Sequence, residues 1–457
     1  MKLLKTLAII LTVTVILTAC GKAADKATTA PSDASIPSTT APPTPYPDAV
    51  EIKLSDEVVT VDGELAGTDS NAAVYTAKDI VYYESGKDFT YGEGSEEDAH
   101  TAEEAEMHTV VHITKAGKYL ISGKLSYGQI AVDLGEEAES NPDAVVTLIL
   151  DGVDITCKVA PAVIFYNVYE CGNTDTETAT KDVDTSSAGA NVIIADGKEN
   201  RIYGSYVARI YEPGTVVLND DGTEVEDAYK LHKYDAAFYS KMSMNVNGDE
   251  KDTGVLNINA ENEGLDSELH LTINGGNINI LSGNDGINTN EDGVSVTTVN
   301  NGTLKIRVTG ETGEGDGIDS NGWLVINGGT VLAEACSDSA DAGIDSDMGI
   351  HINGGTVIAS GSMLDRIEDG GQTWALFSLR KNTDSDNDTL YIKDEQENTV
   401  AEFEIKNAFS TLIFSSPDLK EDSTFTLWNA DGQLARQSDE IGFGGMRPGA
   451  PMDRPPF

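Results

Sequence analysis

The 457-residue chain carries 77 acidic against 30 basic side chains, a formal net charge of −47. A charge of that size keeps a protein soluble and repels nucleic acid and anionic membrane; direct binding of an anionic polymer is disfavoured unless cations bridge the two. With four cysteines, no CxxC and no Cys/His set, the sequence offers no basis for a zinc site.

At the N-terminus, Lys2 and Lys5 precede an apolar run from Leu7 to Leu17, and Leu17-Thr18-Ala19-Cys20 resembles a bacterial lipobox. Residues 1–19 are therefore expected to be a lipoprotein signal peptide. A lipid on Cys20 would hold the chain at the outer face of the bacterial membrane without a transmembrane helix; an ordinary secretory signal is the alternative. Residues 20–49, with Pro31-Ser32-Asp33 and Thr40-Ala41-Pro42-Pro43-Thr44-Pro45, read as a Pro/Thr-rich tether.

The folded part is expected from about Val50. Val110–Ile113, Gly117–Gly123, Gln129–Val132 and Val145–Gly152 have the β-branched, alternating character of early strands. His108 and His112 lie in this stretch without the helix and glutamate of a metalloprotease. Cys157 and Cys171 flank the apolar run 162–166 and are candidates to pair in an oxidising exterior, whereas Cys336 reads as a small buried residue. Two polar excursions, 169–188 and 203–233, interrupt the pattern, and binding surfaces commonly arise on such segments.

From Asp235 onward a short phrase recurs: Glu263-Gly264-Leu265-Asp266-Ser267, Asp285-Gly286-Ile287-Asn288-Thr289, Asp316-Gly317-Ile318-Asp319-Ser320 and Ala342-Gly343-Ile344-Asp345-Ser346. Asp235-Ala236-Ala237-Phe238-Tyr239-Ser240 aligns with Asp341–Ser346, one coil earlier. The intervening asparagines Asn247, Asn274, Asn300, Asn327 and Asn353 are spaced by 27, 26, 27 and 26 residues. That period marks a stacked architecture whose units bury their apolar faces only against one another. Apolar residues alternate between glycines, as in Asn277–Ile280, Leu304–Val308 and Thr356–Ala359, which predicts two or three short strands per coil of a parallel β-helix, with Gly and Asn taking positive φ at the corners.

In that arrangement Leu265, Ile287, Ile318 and Ile344 form an inward column. Asp266, Asn288, Asp319 and Asp345 form an outward ladder, with Glu263, Asp285, Asp316 and the displaced Asp341 beside it. Neighbouring carboxylates about 4.8 Å apart repel by roughly 3 kcal/mol at a surface dielectric near 20. The ladder must lose charge, splay into water or hold cations, and hard oxygens at adjacent rungs suit Ca²⁺. Solvated turn aspartates bonding their own backbone are the alternative. Tyr239 stands in the aspartate column, where an aromatic beside a metal would suit a sugar face or cap the ladder. Trp323, the single tryptophan of the repeat, is a sugar platform if it projects outward and core if inward.

The ordered phrases Ile121-Ser122-Gly123-Lys124-Leu125 with Gly128-Gln129-Ile130, Leu150-Asp151-Gly152-Val153-Asp154-Ile155, Asn191–Gly197, Phe238–Lys241 and the Asp-Gly-Ile-Asp and Asn-Gly-Gly repeats resemble the bacterial carbohydrate-binding β-helix family known from cellulolytic clostridia. The resemblance spans about residues 50 to 435. It implies a right-handed parallel β-helix, related in shape to pectate lyases, that holds Ca²⁺ and binds plant cell-wall polysaccharide such as cellulose or polygalacturonate. The chain departs from that family's pattern at Cys157–Pro161 and in the inserts after Phe165 and Gly204.

After residue 365 the repeat breaks. Trp374–Leu379, Thr389–Ile392, Ala401–Ile405, Ser410–Phe414 and Phe425–Trp428 predict a small antiparallel cap over residues 366–436, followed by a disordered tail, 437–457. The expected fold is thus all-β: a right-handed parallel β-helix over 50–365 with a C-terminal β cap. The expected function is a monomeric, non-catalytic, surface-anchored, calcium-binding polysaccharide-binding protein, whose ions either lock the coils or bridge uronate carboxylates of the ligand. A calcium-dependent lyase using Arg307 as base is one alternative, although Arg307 also reads as an outward strand residue pairing with acids. Paired-carboxylate hydrolysis and a structural adhesin without a sugar site are the others.

Overall fold

A computed structural model of the chain describes residues 46–379, 388–420 and 423–438. The signal segment, Cys20, most of the tether and nearly all of the tail lie outside the described residues. From Asp48 onward the chain makes one compact unit.

The unit is nearly all β, and its strands pair in parallel, in register, along three ladders. The first runs through Ala190–Ile194, Met244–Gly248, His270–Ile273, Val296–Val299, Trp323–Ile326 and Gly349–Ile352. The second runs through Glu199–Gly204, Val255–Ala260, Asn277–Ser282, Thr303–Val308, Thr330–Glu334 and Thr356–Gly361. Upstream, the long strands Val146–Thr156 and Gly117–Leu125 each run through both, and Val50–Leu54 pairs in parallel with the latter. The third contains Thr109–Ile113, Gly128–Val132, Val163–Phe165, Ala236–Ser240, Glu263–Ser267 and Ile287–Thr289. Within each period the chain visits the third, first and second ladders in turn, so a full period carries three short strands, within the two or three that the alternation predicts.

The inferred register holds residue by residue. Phe238 stands opposite Leu265, Tyr239 opposite Asp266, Leu265 opposite Ile287, and Ile287 bridges Ile318. Leu265, Ile287, Ile318 and Ile344 are all fully buried in the main core. The fourth copy of the phrase, 342–346, is not a strand, although Gly317 and Ile318 N–H still bond to the Ala342 and Gly343 carbonyls.

Glycine has two separate roles here. Gly276, Gly302, Gly329 and Gly355, closing the Asn-Gly-Gly corners, take φ of +93°, +92°, +76° and +83° as expected. Gly264 and Gly286, within the repeated phrase, do not; a Cβ on either would stand 2.5 Å from the carbonyl oxygen of the next coil's glycine. Close coil-to-coil approach, not a left-handed corner, fixes glycine at those positions.

The C-terminal strands are antiparallel as expected, but two of them join the main sheet: Thr411–Ser415 pairs with both Thr356–Gly361 and Trp374–Ser378. The others enclose a second core around Ile392, Ile405, Phe409, Phe414 and Leu427. Among the described residues one α-helix, Ala102–Met107, and one short 3-10 helix, Glu136–Ser140, interrupt the β pattern; Thr101 and Glu104 form a reciprocal capping box on the former. The signal Thr-x-x-Glu is visible in the sequence, but an all-β expectation passes over it. Cys157, Cys171 and Cys336 are free thiols, so Cys157 and Cys171 do not pair.

Candidate functional site

The acidic residues of the phrase converge, and they do so away from bulk water. Asp316, Asp319 and Asp345 place one carboxylate oxygen each within 4.8 Å of one another. Asp316 and Asp319 come from one coil and Asp345 from the next. Neighbouring acids stitch the same coils through the backbone: Asp285 Oδ1 accepts from Asp316 N–H at 2.6 Å, Asp316 Oδ1 from Ala342 N–H at 2.5 Å, and Asp341 Oδ2 from Gly315 N–H at 2.7 Å. Burial, reinforced by Asp345 and Asp285, pushes the Asp316 carboxyl up to about 9. Burial and the surrounding carboxylates push Asp285, Asp319 and Asp345 each up to about 7.

Asp316, Asp319 and Asp345, half-buried and with Asp285 beside them, could hold a cation that would offset the cost of ionising them. All their donors are hard oxygens, and Asp365, raised by burial, stands close enough to act on Asp345. Oxygen-only ligation with variable approach fits Ca²⁺ better than a softer metal.

Towards the N-terminal end the same ladder is resolved differently. Glu263 and Asp266 are 4 % and 0 % exposed, which corrects the expectation of an acid column facing solvent: the returning strand Lys230–Tyr234 brings Lys233 over it. Lys233 Nζ sits 2.5 Å from Asp235 Oδ2. Burial pulls the ammonium pKa down, but Asp235 and Glu263 more than offset this and hold it above its ordinary value. Both Asp266 oxygens accept from Asn290 Nδ2 at 3.1 Å, and Asn288 Nδ2 donates to Glu263 Oε1 at 3.3 Å. Glu263 Oε2 and Asn288 Oδ1 are buried with no hydrogen-bond partner. Burial and neighbouring carboxylates drive the Glu263 and Asp266 pKa values well up.

Sequence reasoning did not select Lys233, Asp235 or Asp365 for this site. Lys233 reaches it only because an excursion folds back, a long-range event with no period in the sequence, and Asp365 lies just past the last repeat.

Tyr239 is 1 % exposed, its hydroxyl donates to the Glu268 carboxylate, and its ring meets that of Tyr234 edge-on at 5.2 Å. The ring is packed rather than offered as a face. Trp323 is half-buried; alternation with the fully buried Leu324 and Ile326 turns it to the outer side of its strand. On that outer side, Asn247, Asn274, Asn300, Asn327 and Asn353 form a chain of side-chain amide bonds of 2.8–3.0 Å from coil to coil. Among the described residues, no helix is long and apolar enough to cross a membrane.

The described residues thus form a repeated, nearly all-β stack of parallel strands that carries a cluster of half-buried carboxyls and an outward tryptophan. The model of the carbohydrate-binding domain-containing protein family matches residues 107–372, more than half of the chain, and the chain belongs to that family. A carbohydrate-binding domain-containing protein of Acetivibrio thermocellus is 31 % identical over 172 residues, 37 % of this chain. The match takes in 44 % of that relative, less than half its length. Among solved structures, a polysaccharide lyase-like protein from C. thermocellum, determined as a gadolinium derivative, is 19 % identical with a TM-score of 0.39, covering 71 % of this chain and 94 % of that one.

Proposed function

We propose that the protein is a non-catalytic, calcium-binding polysaccharide-binding protein, monomeric and held through a lipid on Cys20 at the outer face of the bacterial membrane. Its ligands are plant cell-wall glycans such as cellulose or polygalacturonate, and its three ladders wind as a right-handed parallel β-helix closed by the C-terminal β cap. The observation that carries the calcium reading is the convergence of Asp316, Asp319 and Asp345 from adjacent coils. Asp285 and Asp341 support them from either side, and Glu263, Asp266 and Asn288 extend the oxygen ladder.

Bound Ca²⁺ would supply the positive charge these carboxyls lack. The half-burial of Asp316, Asp319 and Asp345 favours a role in locking coils together over one of touching a glycan. Trp323, on the outer side, offers an apolar face of the kind on which a neutral sugar ring stacks. Buried Tyr239 supports the wall behind Glu268 instead of stacking on sugar.

Isothermal titration with cello-oligosaccharide and with oligogalacturonate, each with calcium and with chelator, tests the reading while ultraviolet absorbance reports unsaturated product. Binding without product formation is expected. Accumulating product would make the protein a lyase, and absence of heat with both sugars would refute the polysaccharide reading.

A further inference from the structure

The asparagine chain on the outer face of the first ladder floors a groove of about 710 Å³, walled on one side by residues 181–186 of the first excursion. The wall is tied to the sheet. Thr185 Oγ1 lies 2.8 Å from Asn245 Oδ1 and 2.7 Å from Thr272 Oγ1, and Asn245 Nδ2 donates to the Thr185 carbonyl at 2.8 Å. All three side chains are buried, so the groove is formed by the fold itself.

A side-chain amide has two N–H donors and an oxygen with two lone pairs. Asn274, Asn300 and Asn327 each use one donor on the preceding rung and one lone pair on the next. The second donor and second lone pair of each have no partner among the described residues, and all three side chains are exposed. The groove therefore offers a donor and an acceptor at every coil, about 4.8 Å apart, along a track of about 19 Å over five rungs. Its charges nearly cancel: Lys181 Nζ is 2.6 Å from Asp182 Oδ1, and the remaining acid, Asp184, accepts from the Ser186 N–H at 2.9 Å. Val183 and Val325 add apolar surface beside the amides.

We propose that this groove binds a neutral, N-acetylated, β-linked glycan lying along the ladder, its acetamido groups bonded to alternate asparagine rungs and their methyls against Val183 and Val325. The inference rests on the polysaccharide-binding reading and adds a ligand class that reading does not contain. An acetamido group carries one N–H and one carbonyl, the complement of what each rung leaves unused. In an extended β-linked chain successive sugars face opposite sides, so acetamido groups on one side recur at a disaccharide's length, about 10 Å, or about two coils. A polyanion would meet a leftover carboxylate and no uncommitted base here. A glycan with hydroxyls alone would leave the two valines facing polar groups. Chitin and the glycan strands of peptidoglycan share the required chemistry.

The test is calorimetry on the full chain in calcium, with chito-oligosaccharide, cello-oligosaccharide of equal length and oligogalacturonate. Wild-type protein is expected to bind the chito-oligosaccharide at least about tenfold more tightly than the cello-oligosaccharide. Leucine has nearly the shape of asparagine without its donors and acceptors, so an Asn300→Leu/Asn327→Leu variant should lose about tenfold in chito-oligosaccharide affinity. A thermal midpoint within about 5 °C of wild type shows its coils intact. Val183→Asp, on the excursion and outside the ladder, checks the wall independently and should weaken the same ligand. Sedimentation with insoluble chitin and with purified peptidoglycan identifies the source; retention by either that falls in both variants supports the assignment. Equal affinity for the chito- and cello-oligosaccharides, or unchanged chito-oligosaccharide affinity in both variants, overturns it while leaving the polysaccharide reading intact. Binding of none of the three sugars overturns both.

Discussion

Removing the cation from the Asp316 cluster should make stability depend steeply on pH in one direction. Three ionised carboxylates within 4.8 Å of one another repel by about 3 kcal/mol per pair at an effective dielectric of 20, about 10 kcal/mol in all. That rivals the entire stability of an ordinary domain. The carboxyls avoid it by holding their protons. A carboxyl at about 7 instead of 3.8, as for Asp319, has its ion disfavoured by about 4 kcal/mol. Because the folded pKa lies above the unfolded one, the folded chain binds the extra protons, and stability falls as pH rises between the two values. The contribution of Asp285, Asp319 and Asp345 is therefore present below about pH 4 and lost by about 7, and that of Asp316 continues to fall towards about 9. Calcium competes with those protons, so its stabilising effect should grow over the same window. Thermal unfolding in chelator and in calcium, at about pH 5 and about pH 9, measures this directly. Calcium should shift the midpoint little at the lower pH and by more than about 5 °C at the higher. Asp319→Asn should raise the midpoint of the chelated protein at about pH 9 and shrink the calcium shift. Identical midpoints with and without calcium at about pH 9 would refute the reasoning.

Lys233→Met should destabilise the fold by about 2–4 kcal/mol in denaturant titration, since it strands Asp235 beside buried Glu263 and Asp266; Lys233 is partly exposed, so the full penalty for a buried pair is not expected. A change under about 0.5 kcal/mol would show that the acids do not need the ammonium. Trp323→Ala should weaken cello-oligosaccharide binding several-fold while leaving stability within about 1–2 kcal/mol; undiminished affinity would assign Trp323 to packing alone. The Cys157 thiol is wholly buried and pushed up by burial to about 12, so it should resist a thiol reagent in the native protein and react only on unfolding. Rapid native labelling at Cys157 would show that the second ladder opens locally beside Tyr203.

Much of the fold is legible in the sequence because a stacked chain repeats its own constraints. One alignment of Asp235–Ser240 on the later phrases placed Tyr239 opposite Asp266, and the inward column followed from it. Position within a coil is a local property, and periodicity reports it. What surrounds a coil is not local. The burial of Asp266 and the packing of Tyr239 depend on the excursion ending at Lys233, and the seating of the cap on Glu334 depends on Lys406 and Asn407, more than 70 residues later in the chain. The glycine of the repeated phrase shows the same limit on a smaller scale: its need arises from the coil above, which no single copy of the phrase contains.

The acid ladder therefore divides by its source of positive charge. Its N-terminal rungs, Asp235, Glu263 and Asp266, lie under a lysine carried by the chain itself. Its C-terminal rungs, Asp285, Asp316, Asp319 and Asp345, have no such base, and their pKa values rise through burial and mutual repulsion. An ammonium is a fixed counter-ion that follows the fold, whereas a metal ion follows its concentration in the medium. Under the proposed calcium reading, the first half of the ladder would be stabilised whatever the medium, and the second half only where calcium is plentiful. The cap docks on the coils that carry this second half, through Glu334 to Lys406 and Asn407. If the proposed calcium is bound there, its loss should loosen the capped end of the second ladder first, which hydrogen exchange in chelator and in calcium would show.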